Sequence, residues 1–413
     1  MKEGVTPLSE TIINLENRER SLAGKVALIT GTSRDIGAET AKALGQEGIN
    51  IVGCYREKAK RADQIQNTLN FLGIKSEFVQ ADITIENDRT KLGEAVGKLG
   101  GKLDFLVLNA SGQTMEINVI AANALIDQFL PIMSKGSTIV LMQSVPGHFE
   151  PQLEELYATP EFYRPIAKAK YKGEQSIRSR MKEFEKKGIN FVVICPPEVP
   201  DTNNMKVFAH FDPEISKKHT DISNMLGLPT TTTKERVGEK IAELLKRKDL
   251  PMGYTELFCN TIDARDILSA WYGDKAIYVD TLEMADEKSG IGRLIVTKEQ
   301  TEGHFNDSIG ISVLPGHKMI EASAQTLGLI ALRGKITNNT MPLFQGINGP
   351  VKFLKTVFPG DILQIKAAIT ETTKRGFSGN VKILNQKGEA IAEINGLEAI
   401  ITRKEVAKKL MGV

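Results

Sequence analysis

Short apolar runs recur through the first 260 residues, and helical or loop stretches separate them. The runs are KVALIT, INIVGC, SEFVQA, DFLVLN, STIVLM and NFVVIC, which begin at residues 25, 49, 76, 104, 137 and 190. AETAKALGQEG, after the first run, repeats its apolar residues at helical spacing and stops at a glycine. This alternation predicts a doubly wound parallel sheet covered on both faces. YTELFC, near residue 260, would be its last strand.

The pattern changes in the second half of the chain. An apolar helix is predicted over about residues 317–333, and strand-like LQIKAAITET, SGNVKILN and EAIAEINGLEAIIT follow it. A helix followed by antiparallel strands indicates an α+β domain whose sheet wraps around one helix. We therefore divide the chain into an N-terminal arm (1–22), an α/β domain (23–262) and an α+β domain (263–413).

Composition agrees with two domains, because 413 residues exceed what one hydrophobic core usually supports. The net charge of +2, with acidic and basic residues interspersed, argues against nucleic acid or a membrane surface as the main partner. No apolar run reaches the length of a membrane span, and the polar start MKEGVTPLSETIINLENRER is unlike a signal peptide. We expect a cytoplasmic protein.

Two residue types are interpreted as structural. Cys54, Cys195 and Cys259 are widely spaced and show no metal-ligand pattern, so we expect buried free thiols and no metal site. Three histidines without ligand spacing are interpreted as ordinary loop residues: His148, His210 and His219.

TGTSRDIG, residues 30–37, lies where the first strand turns into the first helix. Backbone N–H groups at such a helix start bind a pyrophosphate, and small residues let the phosphates approach. Arg34 and Arg56 can bind a ribose 2′-phosphate, and no acidic residue ends the second strand to take a 2′-hydroxyl. The sequence therefore favours NADPH over NADH.

These residues resemble the short-chain dehydrogenase/reductase family over roughly residues 22–260. Asp82-Ile83 matches the position that contacts adenine, NASG at 109–112 matches the Asn-Asn-Ala-Gly signature, and Asn118 and Ser144 match the active-site asparagine and serine. In this family the long stretch after Pro196 is the substrate lid. The cofactor-binding residues that we expect are Gly31, Ser33, Arg34, Ile36, Gly37, Arg56, Asp82, Ile83, Asn109, Ala110, Lys170 and Thr202.

The tyrosine and lysine of the family fall on Tyr163 and Lys170, a Tyr-x6-Lys spacing that resembles the enoyl-ACP reductase branch. Tyr163 would donate a proton or hydrogen bond to the substrate oxygen, while Lys170 lowers the pKa of Tyr163 and holds the nicotinamide ribose. Asp35 replaces the family's second glycine and would weaken cofactor binding unless it turns away. Its alternative role is that of a helix N-cap. The segment from Gly112 to Asn118 is also shorter than usual.

A second site is predicted in GHFNDSIGISVLPGHKMIEASAQ, residues 303–325. Dehydration of a 3-hydroxyacyl thioester needs a base beside the carbonyl and an acid for the departing hydroxyl. His304 suits the first role, and Glu321 suits the second if burial raises its pKa. The turn at Pro315-Gly316 would present the Gly316 N–H at a helix start, where it stabilises the thioester oxygen as an oxyanion hole does.

This stretch resembles the hotdog-fold 3-hydroxyacyl-ACP dehydratases, and the resemblance covers nearly everything from about 263 to 403. The matching motifs are a His-Phe pair, a Pro-Gly turn and a helix with Ile-Glu-Ala and Ala-Gln; NGPVKFLKTVFPGDIL resembles the strand and turn beside the substrate tunnel. The loop after His304 is longer than in the family, and Asn306-Asp307 replaces its usual Pro-Gly. The resemblance implies at least a homodimer, with histidine and glutamate from different subunits.

The combined expectation is a Rossmann-type reductase domain followed by a hotdog domain. Such an enzyme would reduce a 3-oxoacyl thioester of acyl carrier protein or CoA with NADPH and dehydrate the product to a trans-2-enoyl thioester. Fusion would raise the local concentration of the intermediate. Enoyl reduction by the first domain is a second possibility. A third is that one domain is not catalytic and serves acyl binding and dimerisation, or NADP sensing.

Overall fold

The computed structural model describes residues 21–156, 158–269, 271–302, 312–332, 340–374, 376–403 and 405–406. The expected N-terminal arm lies outside these residues except for its last two, of which Leu22 is buried against the first sheet. Two sheets organise the described residues: a parallel sheet in the first half and an antiparallel sheet in the second.

Seven parallel strands form the first sheet in the order β3-β2-β1-β4-β5-β6-β7. They are β1 Val26–Thr30, β2 Asn50–Tyr55, β3 Ser76–Gln80, β4 Leu103–Leu108, β5 Met133–Met142, β6 Asn190–Ile194 and β7 Tyr254–Glu256. All five residues of β1 are buried, because helices cover both faces. The predicted Rossmann-type sheet is confirmed, and each apolar run lies in one of its strands.

Helices connect these strands, and several of them correct the sequence interpretation. They are α1 Asp35–Gln46, α2 Ala59–Phe71, α3 Glu86–Lys98, α4 Ala122–Phe129, α5 Val145–His148, α6 Glu150–Glu155, α7 Arg164–Arg178, α8 Met181–Lys187, α9 Asn203–Phe211, α10 Ile215–Leu226 and α11 Lys234–Lys246. A π-helical turn spans Glu116–Ala121, and 3-10 turns span Leu130–Ile132 and Glu161–Tyr163. The expected lid contains two helices, α9 and α10. The N-cap of α11 is Thr233, whose side chain accepts from the Arg236 N–H.

The antiparallel sheet runs β11-β15-β14-β13-β10-β9-β8, with β12 paired to β15. Its strands are β8 Thr261–Asp263, β9 Thr281–Met284, β10 Ser289–Ile295, β11 Thr340–Ile347, β12 Val351–Phe353, β13 Ile362–Thr372, β14 Gly376–Leu384 and β15 Ala390–Arg403. Its helices are α12 Ala264–Leu268, α13 Lys298–Thr301 and α14 Gly316–Ala331, with a 3-10 turn at Asp274–Ala276. Helix α14 buries Leu327 and Ile330 against the sheet, so the predicted arrangement of one helix on antiparallel strands is present.

The two halves are in direct contact. The Thr281 hydroxyl donates to the Leu226 carbonyl over 2.9 Å, and the Thr261 hydroxyl donates to the Gly227 carbonyl over 2.8 Å. Both acceptors lie at the end of α10, so the antiparallel sheet fixes one end of this helix. Strand β8 itself straddles the expected domain boundary at residue 262.

Candidate active site in the cleft of the parallel sheet

The turn from β1 to α1 forms one wall of a cleft of about 700 Å³ at the carboxyl ends of the strands. Gly31 has a φ of +75°, a conformation that favours glycine. A Cβ on Gly37 would lie only 2.1 Å from the Gly31 carbonyl oxygen, so only glycine allows the helix to approach the turn this closely. The Asn109 amide donates to the Thr30 carbonyl over 2.8 Å and ties β4 to the turn.

The cleft brings together all the residues expected to bind the cofactor. Its wall includes Gly31, Ser33, Arg34, Ile36, Gly37, Arg56, Asp82, Ile83, Asn109, Ala110, Lys170 and Thr202. The first N–H groups of α1 have no partner within the helix and suit an anion. The cleft therefore has the features that a dinucleotide requires.

Arg34 and Arg56 line the cleft with side chains that remain exposed. Their side chains are 44% and 63% exposed, and each contacts an acidic neighbour, Asp35 at 3.6 Å and Glu57 at 3.7 Å. The two guanidinium groups are thus accessible to a phosphate. The Asp82 carboxylate accepts from the N–H and hydroxyl of Thr84, which fixes the loop after β3.

Asp35 does not cap α1, since the N-cap residue is Arg34. Its φ is 52°, a backbone conformation that glycine adopts more readily than aspartate. The Asp35 carboxylate accepts from the Asn203 side-chain amide over 2.8 Å and from the Asn203 backbone N–H. Its contacts therefore join the start of α1 to the start of α9.

Tyr163 and Ser144 both line the cleft, and the Tyr163 hydroxyl donates to Ser144 Oγ over 3.1 Å. The Tyr163 side chain is buried, and burial raises its pKa, although the hydrogen bond to Ser144 opposes this. Ser144 is the N-cap of α5. Burial lowers the pKa of Lys170 to about 8, and Lys170 Nζ lies 3.4 Å from the Met142 carbonyl oxygen. Tyr163 ends a 3-10 turn and Lys170 lies on the adjoining helix α7, which explains how six residues separate two residues of one site.

Asn118 does not line the cleft. It lies in the π-helical turn, where its amide donates to the carbonyls of Gly112 and Thr114 over 2.8 and 2.9 Å and accepts from the Ser111 hydroxyl. π-turns are frequent at functional sites. Here the side chain holds the short segment before the turn in place. Ser111 and Gly112 of that segment line the cleft, so Asn118 supports the cleft wall from behind.

Thr202, expected near the nicotinamide, caps α9 by accepting from the Met205 N–H.

The interpretation of three histidines as loop residues is wrong, since His148 ends α5, His210 lies on α9 and His219 lies on α10. His148 is buried between two carboxylates, with Nδ1 2.9 Å from Glu174 Oε2 and Nε2 2.6 Å from Asp263 Oδ2. Asp263 comes from the antiparallel sheet. No local sequence signal marks this contact, because its partners lie 26 and 115 residues away.

Gln143 connects this buried group to the cleft. Its amide donates to Glu174 Oε2 over 2.9 Å and to the Lys170 carbonyl over 3.1 Å. Its Oε1 accepts from the Ser144 N–H over 3.0 Å. The sequence interpretation missed Gln143, which precedes the expected serine directly.

The second expected site is described only in part. His304 lies outside the described residues. Glu321 is partly exposed on α14 and accepts from the Gln325 amide over 3.1 Å. Burial, and then the neighbouring Glu321 carboxylate, raise the pKa of Tyr272. Gly316 begins α14, and a Cβ there would lie 2.8 Å from the Phe353 ring.

The described residues contain no helix with the length and apolar character of a membrane span. Across the same residues no cluster of His, Cys, Asp and Glu has a geometry that would hold a metal. Of the three cysteines, Cys54 and Cys195 are buried as expected, but Cys259 is exposed because it lies in the connection between the two sheets.

Comparison with known proteins gives matches in the first half. The family model described as short chain dehydrogenase matches residues 25–211. The rhamnolipid-biosynthesis 3-oxoacyl-(acyl-carrier-protein) reductase of Pseudomonas aeruginosa is 31% identical over 201 residues, which cover 44% of this chain and 75% of that protein. Tropinone reductase-like 3 of Erythroxylum coca is 30% identical over 154 residues, 33% of this chain and 59% of that protein. Among solved structures, an active-site complex of Pseudomonas aeruginosa RhlG with NADP is 25% identical with a TM-score of 0.46, covering 55% of this chain and 91% of that one.

Proposed function

This chain belongs to the short-chain dehydrogenase family, and we propose that its first half, residues 23–262, reduces the 3-oxo group of an acyl thioester with NADPH. The observation that carries the proposal is the hydrogen bond from Tyr163 to Ser144 in the cleft, with Lys170 on the adjoining helix. Two hydroxyl groups that converge in a buried place are suited to bind one carbonyl oxygen.

The cleft fits NADPH. The glycine turn and the start of α1 would hold the pyrophosphate, and Arg34 and Arg56 would hold a 2′-phosphate, since guanidinium groups recognise phosphate well. Asp82 and Ile83 would lie beside the adenine, and Lys170 and Thr202 beside the nicotinamide riboside. NADPH bound there supplies the hydride for the carbonyl carbon.

The protein side of the reaction is proton delivery. Ser144 would donate a hydrogen bond to the substrate oxygen, and Tyr163 would transfer its proton to that oxygen as negative charge develops. A protonated Lys170 stabilises the tyrosinate left behind, because opposite charges favour each other in a site shielded from water. The product is a 3-hydroxyacyl thioester.

The thioester assignment rests on the similarity to a reductase named for 3-oxoacyl-(acyl-carrier-protein). The carrier is acyl carrier protein or CoA. Enoyl reduction is the alternative favoured by the Tyr-x6-Lys spacing. Incubating the purified protein with NADPH and either a 3-oxoacyl or a 2-enoyl thioester separates the two. We expect NADPH absorbance to fall with the 3-oxoacyl substrate; oxidation with the enoyl substrate alone would favour the alternative.

Variants then link that activity to the cleft. Y163F and K170A should reduce turnover at least about 100-fold, since positioned proton transfer contributes that much. K172A is the matched control, because Lys172 is exposed on the same helix and does not line the cleft. Tight NADPH binding with no turnover of either thioester would instead support an NADP-sensing domain.

We propose for the second half, residues 263–413, a hotdog fold that dehydrates the 3-hydroxyacyl product. The supporting observation is the position of Glu321 on a helix packed against antiparallel strands, where Gln325 and Tyr272 orient its carboxylate. His304 would supply the base and the Gly316 N–H the oxyanion contact. By the same resemblance we expect the active form to be at least a homodimer.

Dehydration is tested by following formation of the enoyl thioester from a 3-hydroxyacyl thioester. H304A and E321Q should each abolish it while NADPH-dependent reduction remains, and E371Q, at an exposed strand position, is the control. Dehydration that persists in both variants would assign it to other residues. No dehydration by the unaltered protein would support a non-catalytic acyl-binding and dimerisation domain.

A further inference from the structure

One wall of the cleft takes no part in the proposed proton delivery. Helix α10 and the segment after β6 form this wall, and they contribute His219 and Glu198 to the cleft lining. Both side chains are largely enclosed, 12% and 2% exposed. Polar groups in such a place need an explanation, because burying them costs free energy unless they are paired.

Glu198 is held firmly. The Ser216 hydroxyl donates to its Oε1 over 2.7 Å, and its backbone carbonyl accepts from the Thr232 N–H over 2.8 Å. Burial would raise the pKa of the Glu198 carboxyl, but the contacts with His219 and Ser216 outweigh burial and lower it. The group is therefore a carboxylate with a fixed position.

His219 lies beside that carboxylate. Its Nδ1 lies 3.5 Å from Glu198 Oε2, and its ring meets the Tyr163 ring at 6.5 Å between centroids and an angle of 77°. The imidazole thus stands beside the tyrosine that would protonate the substrate.

The second ring nitrogen lacks a protein partner. His219 Nε2 and the neighbouring Glu198 Oε2 are both buried, and neither makes a hydrogen bond to any described residue. Buried polar atoms are nearly always paired, so an unpaired one in a cleft wall indicates a group that a ligand satisfies.

We propose that His219 binds the thioester carbonyl oxygen of the 3-oxoacyl substrate. This inference rests on the proposed function and defines the substrate class of the same cleft. In a 3-oxoacyl thioester one methylene separates the two carbonyl carbons. With the 3-oxo oxygen on Tyr163 and Ser144, this short spacing would place the thioester oxygen near His219, whose ring packs edge-on against the Tyr163 ring. With a proton on Nε2, the His219 N–H donates this hydrogen bond, while the Glu198 carboxylate lies beside Nδ1.

The consequence is selectivity for compounds with two carbonyl groups. A simple methyl ketone uses only Tyr163 and Ser144, so it gains nothing from His219. A site built to donate to a substrate oxygen discriminates against an analogue that lacks this oxygen.

The experiment compares kcat/KM for NADPH-dependent reduction of a 3-oxoacyl-CoA and of a methyl ketone of equal acyl length. H219A should lower kcat/KM for the thioester about tenfold or more and leave that for the ketone within about twofold. H219Q, whose side-chain amide donates from a similar place, should recover part of the loss. H210A is the matched control, because His210 is exposed on the neighbouring helix and does not line the cleft.

NADPH titration of each variant reports whether the cleft remains intact, and we expect unchanged affinity in H219A. An equal loss on both substrates, or no loss on the thioester, would overturn the inference. These results are distinct from failure of the proposed function, in which the unaltered protein itself would not oxidise NADPH with the 3-oxoacyl substrate.

Discussion

Asp35 combines a left-handed backbone conformation with a carboxylate beside the expected pyrophosphate position. Aspartate tolerates this conformation better than most residues, and its contacts with Asn203 hold it there. The carboxylate is turned toward α9. Only its negative charge, and not its bulk, is therefore expected to weaken cofactor binding. Asp35 therefore lacks the conformational freedom of glycine, but its side chain connects the start of α1 to the start of α9.

D35N tests this charge. Asparagine also tolerates the left-handed conformation and keeps an acceptor for Asn203, but it removes the repulsion of phosphate. We expect the dissociation constant for NADPH to fall about threefold at low ionic strength and the difference to shrink as salt is added. Fluorescence titration of NADPH at two salt concentrations measures it, with D249N as the control at an exposed acid outside the cleft. Equal affinity of D35N and the unaltered protein would indicate that Arg34 already neutralises Asp35.

Lys170 gives the reaction a pH dependence. Burial lowers its pKa to about 8, so the side chain is charged below that pH and loses its proton above it. We expect kcat/KM for reduction to fall about tenfold per pH unit above about pH 8. K170R should lack this decline because a guanidinium stays protonated, although its different shape lowers the rate throughout. A pH profile of NADPH oxidation from pH 6 to pH 10 tests this expectation, with K172R as the control.

At the scale of elements, the close approach of α1 and α11 depends on one glycine. A Cβ on Gly238 would lie 2.8 Å from the backbone carbonyl of Glu39 and 3.0 Å from the N–H nitrogen of Thr40. Backbone atoms cannot move aside as a flexible side chain can. This contact places α11 against the helix whose start forms the cofactor cleft.

G238A should therefore destabilise the fold by about 1–3 kcal/mol, as overpacking does. G97A is the opposite case, because Gly97 is exposed near the end of α3 and a Cβ there meets nothing within 4 Å. It should stabilise by up to about 1 kcal/mol through helix propensity. Urea unfolding of both variants measures the changes in the free energy of unfolding. If G238A left this free energy unchanged, the two helices would have to separate readily.

The sequence predicted the parallel strands because each is a short apolar run, and it predicted α14 because its apolar residues are numerous. It did not predict α9 and α10. Their exposed faces carry many polar residues, and Phe211 is 70% exposed, so the helical period is weak. Strand and helix patterns are local, whereas these lid helices depend on contacts with Asp35, Glu198 and the antiparallel sheet.

The same distinction applies to the site. The glycine turn, Tyr163 and Lys170 follow from spacing along the chain, and all line one cleft. His148 and Gln143 do not, because their environment is assembled from distant segments. Asn118 shows the converse, since its spacing matched the family but its side chain does not line the cleft and forms hydrogen bonds with Ser111, Gly112 and Thr114.

At the scale of the molecule, a buried charged group joins the two sheets. His148 lies between Glu174 of α7 and Asp263 of β8, and Arg178 contacts both Glu174 at 2.7 Å and Asp266 at 3.2 Å. Through Gln143 the same group reaches Ser144 and Lys170. Docking of the antiparallel sheet and positioning of the cleft residues therefore depend on the same side chains.

This group should make stability depend on pH through His148. Burial alone would lower the pKa of His148, but Glu174 and Asp263 outweigh burial and raise it from 6.5 to about 9. Because the folded pKa is above the unfolded one, the stabilisation is fully present below pH 6.5 and is lost as pH rises through about 9. The loss is on the order of 3 kcal/mol over this interval.

H148Q removes this titration. We expect it to be far less stable than the unaltered protein at pH 6.5, because two buried carboxylates lose their partner, and the difference should narrow as pH approaches 9.5. Lys170, whose folded pKa is lowered, changes stability in the opposite direction in both proteins and cancels in the comparison. Urea unfolding at several pH values, with H210Q as the exposed control, measures the difference. If the difference in free energy of unfolding between H148Q and the unaltered protein stayed constant from pH 6 to pH 9.5, His148 would be neutral in the folded protein. Packing of its ring, and not its charge, would then stabilise the contact between the two sheets.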